Sequence, residues 1–511
     1  MISSDMHRKK TMLVVLMTLT AFLRVSATPC QIRVSDQLSF DRMDSLIREA
    51  VQVDVPEVEV LIDSGSYYYS DFHLALNQLV APNTQLSIRG NKAVIYPRME
   101  KNPDSFDARS SYYLPEGGHA WRIFSREGEM KMAKFFVRVV DRKKKICKIK
   151  IDRNLDAACI KDGYIFITQW YRGRAYKIVD IKGRNVYFYA DDLRPKRILF
   201  SVNLDWTFSL QFPRYRLINC DQPIPDPVYK GDASTFLSID GCELAGLSLS
   251  GCQFKGNSYT HQADSASLLL IKDSATPVSI RDCSFEHIRT DCIMMEHAHH
   301  VEVSNCDFRQ CYRYCFMMSH ESSDASVSHC TFTDVGKCGD NVFAVICYGR
   351  NFRVDHNTFE DYGFGAVATG LHYTLEKKDS VSGVISQNEI YQTPAYNAAA
   401  PMNLLMDSGA IYVSTQTDRI VIEDNYIHDV NGPTYNRGIF VDDGASHIRI
   451  VNNKVMGTFN HYAIDVDPIS SWKLYFRKGG RVVDVTNADN EVYGNEATGK
   501  VRVAKPLKRW L

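Results

Sequence analysis

The chain has no excess of charge of either sign: across 511 residues, 60 Lys and Arg stand against 60 Asp and Glu. That balance gives no support for nucleic acid or an acidic membrane surface as the partner, since either would call for a basic patch. Apolar runs of bilayer length are missing too. Residues 11–22 fall short of the roughly 20 apolar residues a spanning helix needs, and no other segment comes closer, so no integral membrane span is expected. Helical periodicity is read in one place, "RMDSLIREAVQ" (42–52). Hairpin turns are absent between the units of the long repeat described next, which argues against an antiparallel meander.

What is present is a recurrence. A small polar residue stands two before a large apolar one nine times: Cys252-Gln253-Phe254, Cys283-Ser284-Phe285, Cys306-Asp307-Phe308, Cys330-Thr331-Phe332, Asn357-Thr358-Phe359, Asn388-Glu389-Ile390, Asn425-Tyr426-Ile427, Asn453-Lys454-Val455 and Asn490-Glu491-Val492. Successive first members are 31, 23, 24, 27, 31, 37, 28 and 37 residues apart, in the range of solenoid repeats. Within a unit the apolar residues alternate at period two, as in "HVEVSNCDF" (300–308) and "IRIVNNKV" (448–455), which indicates strands. Short strands that repeat in one direction and bury their apolar faces on one another make a parallel β-solenoid. Stacked rungs about 4.8 Å apart bring like residues together. Asn357, Asn388, Asn425 and Asn453 are therefore expected to form an interior amide ladder, continued by Cys252 to Cys330 as small fillers.

The amino end, with basic "HRKK", the apolar run 11–22 and the small-residue site Val25-Ser26-Ala27, reads as an export signal over residues 1–27. The expected location is periplasmic or secreted. Lipid anchoring at Cys30 fits less well, because Ala27-Thr28-Pro29 is a poor match to a lipoprotein signal. Fourteen cysteines in an exported chain would ordinarily suggest a disulfide framework. Here four of them hold one position of the repeat, where they are expected to stack as reduced thiols, although neighbouring rungs also come within disulfide reach. Zinc is disfavoured, because Cys311 and Cys315 have no second pair at finger-like spacing.

Along the chain, residues 28–98 carry a capping helix and the first rungs. In residues 99–227 the repeat stops, and strands of another kind include "RAYKIVDIKGRNVYFY" (174–189), a hairpin with a Lys-Gly-Arg turn. This block is read as an inserted antiparallel β domain. The main solenoid then spans 228–500, and residues 501–511 form a basic tail.

Acidic residues gather on two late rungs. "MDSGAIYVS" (406–414) holds Asp407, and "RGIFVDDGAS" (437–446) holds Asp442 and Asp443. Aligning "GAIYV" on "GIFVDD" projects Tyr412 and Phe440 to one face with the acids at its edges. Carboxylates gathered in a groove raise one another's pKa, so one can stay protonated while another is ionised. Glycoside hydrolysis needs that pair, an acid for the leaving oxygen and a nucleophile or base opposite. Aromatic rings beside them would stack on sugars. His428, Tyr435, Arg437 and Asp465 are candidate substrate contacts, with Asp467 beside the last. The alternatives for these residues are structural. Asp beside Gly builds solenoid turns, His428 packs in a turn, and "EHAHH" (296–300) with His320-Glu321 forms solvated corners rather than a metal site. Calcium on Asp407, Asp442 and Asp443 is a further possibility; no other cofactor is expected.

"DSGAIYV", "NYIHDV" and "GIFVDDGASHIRIVNN" (438–453) resemble the right-handed parallel β-helix glycoside hydrolases, particularly glycoside hydrolase families 141 and 120. The resemblance covers nearly the whole mature chain as architecture and about residues 407–453 as motif. It implies an all-β, pectate-lyase-like solenoid with an inserted antiparallel domain, acting on a polysaccharide or oligosaccharide. It also implies Asp407 and Asp443 as the catalytic pair, with Asp442 competing for the second role. Two rival functions stand beside it. A polysaccharide lyase would need a basic cluster, and none is evident in the aspartate-rich rungs. A non-catalytic glycan-binding or adhesion solenoid would keep the aromatics and dispense with the acids. Nothing in the sequence specifies an oligomeric state.

Overall fold

The computed structural model describes residues 30–34, 40–52, 55–69, 74–97, 120–121, 138–141, 143–150, 164–169, 172–189, 214–218, 235–256, 267–288, 290–311, 313–336, 342–370, 381–394, 409–414, 417–430, 437–442, 445, 447–459, 462–466 and 490–503. The expected export signal, the cleavage site and most of the basic tail lie outside these residues, as do Asp407, Tyr435, Asp443 and Asp467.

A rung is built from short strands. Val278–Arg281, Ser284–Glu286 and Asp291–Glu296 make one, and the next repeats it as His299–Ser304, Asp307–Arg309 and Phe316–Met318. Each strand pairs in parallel with its counterpart one rung on. The first two strands of the rungs form a 21-stranded sheet, joined through the long strands Val80–Pro97 and Glu243–Lys255, which turn the corner unbroken. The third strands form an 11-stranded sheet, called here the front sheet. The helix Phe40–Gln52 packs against strands Cys30–Val34 and Leu74–Ala75, burying Met43, Ile47, Ala50 and Val51 along one stripe.

The corner between the first two strands explains the recurrence in the sequence. One residue there takes positive φ, and the next turns its side chain inward. The positive-φ residues are Gly251, Asp282, Asn305, His329, His356, Gln387, Asp424, Asn452 and Gly494, with φ between 52° and 68°. Most are glycine, Asn, Asp or His, the residues best able to tolerate left-handed backbone. At Gly251 glycine is required twice over, because a Cβ would also run into the carbonyl oxygen of Gly90.

The residue after each is the expected ladder. Asn357 Nδ2 donates to Asn388 Oδ1 (3.0 Å), Asn388 Nδ2 to Asn425 Oδ1 (2.9 Å), and Asn425 Nδ2 to Asn453 Oδ1 (2.9 Å). Each amide oxygen also accepts the backbone N–H of the previous ladder residue, so these buried groups are satisfied. The cysteines continue it: Cys330 N–H donates to Asn357 Oδ1, and Cys306 N–H to Cys330 Sγ. At the other end the sequence reading needs correction. Asn453 bonds Asn495, and Asn490 lies outside the column, donating instead to Ala445 O. The ninth repeat is Asn495-Glu496-Ala497, since Lys454 pairs with Glu496. Two residues beyond the ladder, Phe254, Phe285, Phe308, Phe332 and Phe359 stack face to face with centroids 4.5–5.3 Å apart.

Between residues 120 and 218 the described strands form a 7-stranded antiparallel sheet, in accord with an inserted β domain. Its hairpin closes at Lys182↔Asn185 around Gly183 (φ 58°), at the expected turn. Val501–Val503, read from sequence as the start of a tail, is the last strand of the front sheet. The eleven described cysteines are all free thiols, and all but Cys30 are buried. Among the described residues no helix is long and apolar enough to cross a membrane.

Candidate active site on the front sheet

Alternation puts every second residue of a front-sheet strand outside the solenoid. In-register pairing then aligns one outward residue per rung: Leu270, Met294, Met317, Ile346, Ala368, Tyr412, Phe440, Asp465 and Arg502. Read along the axis, the column passes from aliphatic to aromatic to charged. Tyr412 and Phe440 stand opposite each other, as the sequence alignment of the two rungs required.

At the aliphatic-to-aromatic junction, Phe343, Ile346, Phe364 and Ala368 form a buried cluster outside the main core, flanked by Tyr314, Tyr348 and Tyr412. Phe343 stacks on Tyr412 at 5.7 Å, and Tyr412 meets Phe440 edge to face at 5.5 Å. The half-buried Tyr412 donates its hydroxyl to Asp442 Oδ2 at 3.0 Å. Asp442 follows strand Ile439–Val441 directly, and its backbone N–H is held by Val413 O of the preceding rung. The carboxylate is thus fixed by main chain from below and by a phenol from the side.

One rung further, Arg437 Nε donates to Asp465 Oδ2 (2.7 Å), while Arg502 donates from Nε to Oδ1 (2.6 Å) and from Nη2 to Oδ2 (3.0 Å). Arg437 also lies over the Phe440 ring, 3.7 Å from its centroid. Planar guanidinium suits both uses, fork and stack.

Of the residues named from sequence, Tyr412, Arg437, Phe440, Asp442 and Asp465 come together on this face. Asp465 has no exposed surface, and both its oxygens hold guanidiniums, so its place is beneath the arginines rather than against a ligand. Phe440 is buried under Arg437 rather than open to stacking. His428 does not join them. It belongs to the 21-stranded sheet, between Tyr391 and Tyr426, bonded to Asp429 and Glu389. The expectation that the aspartate-rich rungs hold no basic cluster is overturned by Arg437 and Arg502, brought together by rung pairing across 65 residues of sequence. At the corner read from "EHAHH", His297 contacts Asp273 and Glu321, all partly exposed.

A buried acid on the same face was missed. Asp291, at the start of strand Asp291–Glu296, is 1% exposed, and burial pushes its carboxyl up to about 6 against the opposing pull of Arg313. Arg313 Nε lies 3.2 Å from Oδ1 as an ion pair without hydrogen-bond alignment. Five strand spacings of about 4.8 Å, about 24 Å in all, separate its strand from Ile439–Val441, so Asp291 is no partner for Asp442. "TDC" carries no sign of this. Only burial by neighbouring rungs makes the acid unusual.

The model of the family described as right handed beta helix region matches residues 230–380. The fold is a right-handed parallel β-helix. A solved structure named "Glycoside hydrolase" superposes with a TM-score of 0.55 at 11% identity, over 90% of this chain and 92% of that one. The Family 28 exopolygalacturonase of Yersinia enterocolitica, at 13% identity, covers 85% of this chain and 79% of that one with a TM-score of 0.24, too loose to bear on this β-helix. No curated protein matches the chain. At such identities the likeness is one of fold, and the chemistry has to come from the site.

Proposed function

We propose that the protein is a carbohydrate-active enzyme, a glycoside hydrolase that takes a polysaccharide or oligosaccharide along the front sheet. The observation that carries the reading is Asp442, a half-buried carboxylate held by Tyr412 where an aromatic row meets a charged one. A phenol donating to a carboxylate favours its ionised form, the form a nucleophile or base needs. Asp407 and Asp443, given catalytic roles by resemblance, are the partners proposed to supply the acid. A carboxyl separation of about 5–5.5 Å would make the enzyme retaining, and about 6.5–9.5 Å inverting. Tyr412 and the rings behind it supply apolar surface for sugar faces. Tyr435 is a proposed loop contact, and calcium at the aspartates remains a proposal to be tested by chelation. Export to the periplasm or medium is proposed on the amino-terminal signal, and sequencing the mature amino end checks it.

Arg437 and Arg502 favour a second reading, a polysaccharide lyase, in which cationic groups neutralise a uronate carboxylate. One experiment separates the two. Reducing-sugar release and ultraviolet absorbance are followed together over a polysaccharide panel for the wild type and for Asp407→Asn, Asp442→Asn and Asp443→Asn. Sugar release without new absorbance, abolished in at least one variant, supports the hydrolase. Absorbance of an unsaturated uronate makes it a lyase. Binding without turnover in every protein leaves an adhesion solenoid.

A further inference from the structure

The interior holds two groups of thiols with different shapes. Cys252, Cys283, Cys306 and Cys330 contribute one sulfur per rung and run in a column along the axis. In that column each of the last three thiols donates to a carbonyl two residues back, at 3.2–3.3 Å. Such thiols behave as small, satisfied core fillers.

The other group is a triangle. Cys311 and Cys315 come from one turn, between strands Asp307–Arg309 and Phe316–Met318, and Cys292 arrives from the rung below at the head of Asp291–Glu296. The three Sγ atoms all lie within 4.8 Å of one another, and all three residues are fully buried. They form the one cluster of metal-ligating side chains found among the described residues. The spacing argument against zinc sought a second cysteine pair along the sequence, whereas the third ligand comes across the rungs.

We propose that Cys292, Cys311 and Cys315 form a buried three-sulfur site for a thiophilic d10 cation. Soft thiolates select monovalent copper and zinc over hard ions. Zinc in structural sites is almost always four-coordinate, and no fourth His, Cys, Asp or Glu joins the cluster among the described residues. Three sulfurs in a dry core therefore suit monovalent copper better. Taking up the cation forms three metal–sulfur bonds and releases the three thiol protons, so uptake weakens as pH falls.

The site is closed, so the full chain is refolded anaerobically with monovalent copper or with zinc, passed over a chelator, and assayed for retained metal and for thiolate-to-copper charge transfer. One equivalent of either ion in the wild type is expected, lost in Cys311→Ser and Cys292→Ala and kept in Cys283→Ser, with circular dichroism confirming folding. The ion retained identifies the natural class. Two of the variants address the triangle separately, so a folding failure in one leaves the other to decide. No retained metal in folded wild type, equal retention in a folded triangle variant, or a disulfide among these cysteines in the isolated protein would overturn the proposal.

Discussion

Asp442 and Asp291 lie on the same sheet face, and the surroundings of each set a different experiment. Asp442 is anchored by Tyr412 and by the backbone of the preceding rung. Acid or base catalysis by a positioned carboxyl contributes typically 10²–10⁴-fold, so Asp442→Asn is expected to lower kcat by about that factor with little change in melting temperature. Tyr412→Phe, which removes only the hydroxyl, should cost a smaller part of it. Asp291 bears on stability. With a folded pKa of about 6 against 3.8, it is neutral in both states at low pH. Between those values the unfolded chain ionises first, the native state keeps the extra proton, and stability falls as pH rises. Above pH 6 the full cost is about 3 kcal/mol. Urea unfolding at pH 4 and pH 7 should show that loss in the wild type and a much smaller one in Asp291→Asn; identical pH dependence in the two would remove burial of Asp291 as its cause.

At the scale of elements, the corner ladder decides stability. Asn425 Oδ1 accepts from the N–H and the Nδ2 of Asn388, and its own Nδ2 donates to Ile385 O and Asn453 Oδ1. Asn425→Ala strands several of these buried groups at about 1–3 kcal/mol each, so chemical denaturation should report a loss of about 3 kcal/mol or more. Cys330→Asn is expected to extend the ladder by one amide and to change stability by less than about 1 kcal/mol, because Cys306 N–H and Asn357 already frame the position. The ladder was legible because the corner has one length in every rung, an αL residue then the inward one, so the sequence pattern repeats wherever the corner does. Asn490 was misread because Asn-Glu-Val at 490–492 copies the motif, while its strand pairs with Arg449 and Ile450 of the preceding arm. The front sheet was harder to read. Its strands are mostly three to six residues long between turns of variable length, so nothing local brings Arg502 to Asp465 or Cys292 to Cys315.

Across the whole molecule, a solenoid whose rungs touch only their neighbours should respond locally to a local lesion, since its stability is approximately a sum of rung and interface contributions. The Arg437–Asp465–Arg502 clamp is the place to test this, because it ties the last three front strands, Ile439–Val441, Ile464–Val466 and Val501–Val503, through one buried carboxylate. Arg502→Ala removes one of the two guanidiniums that hold Asp465 in a fully buried place and leaves Arg437 beside it, at a cost of about 3 kcal/mol. Hydrogen exchange should then quicken in those three strands and remain unchanged around the Phe285–Phe308–Phe332 stack, several rungs away. Uniform quickening along the chain would mean that the β-helix unfolds as one cooperative body. The clamp would then support the entire fold, and loss of activity in Arg502→Ala could no longer be assigned to the front-sheet site.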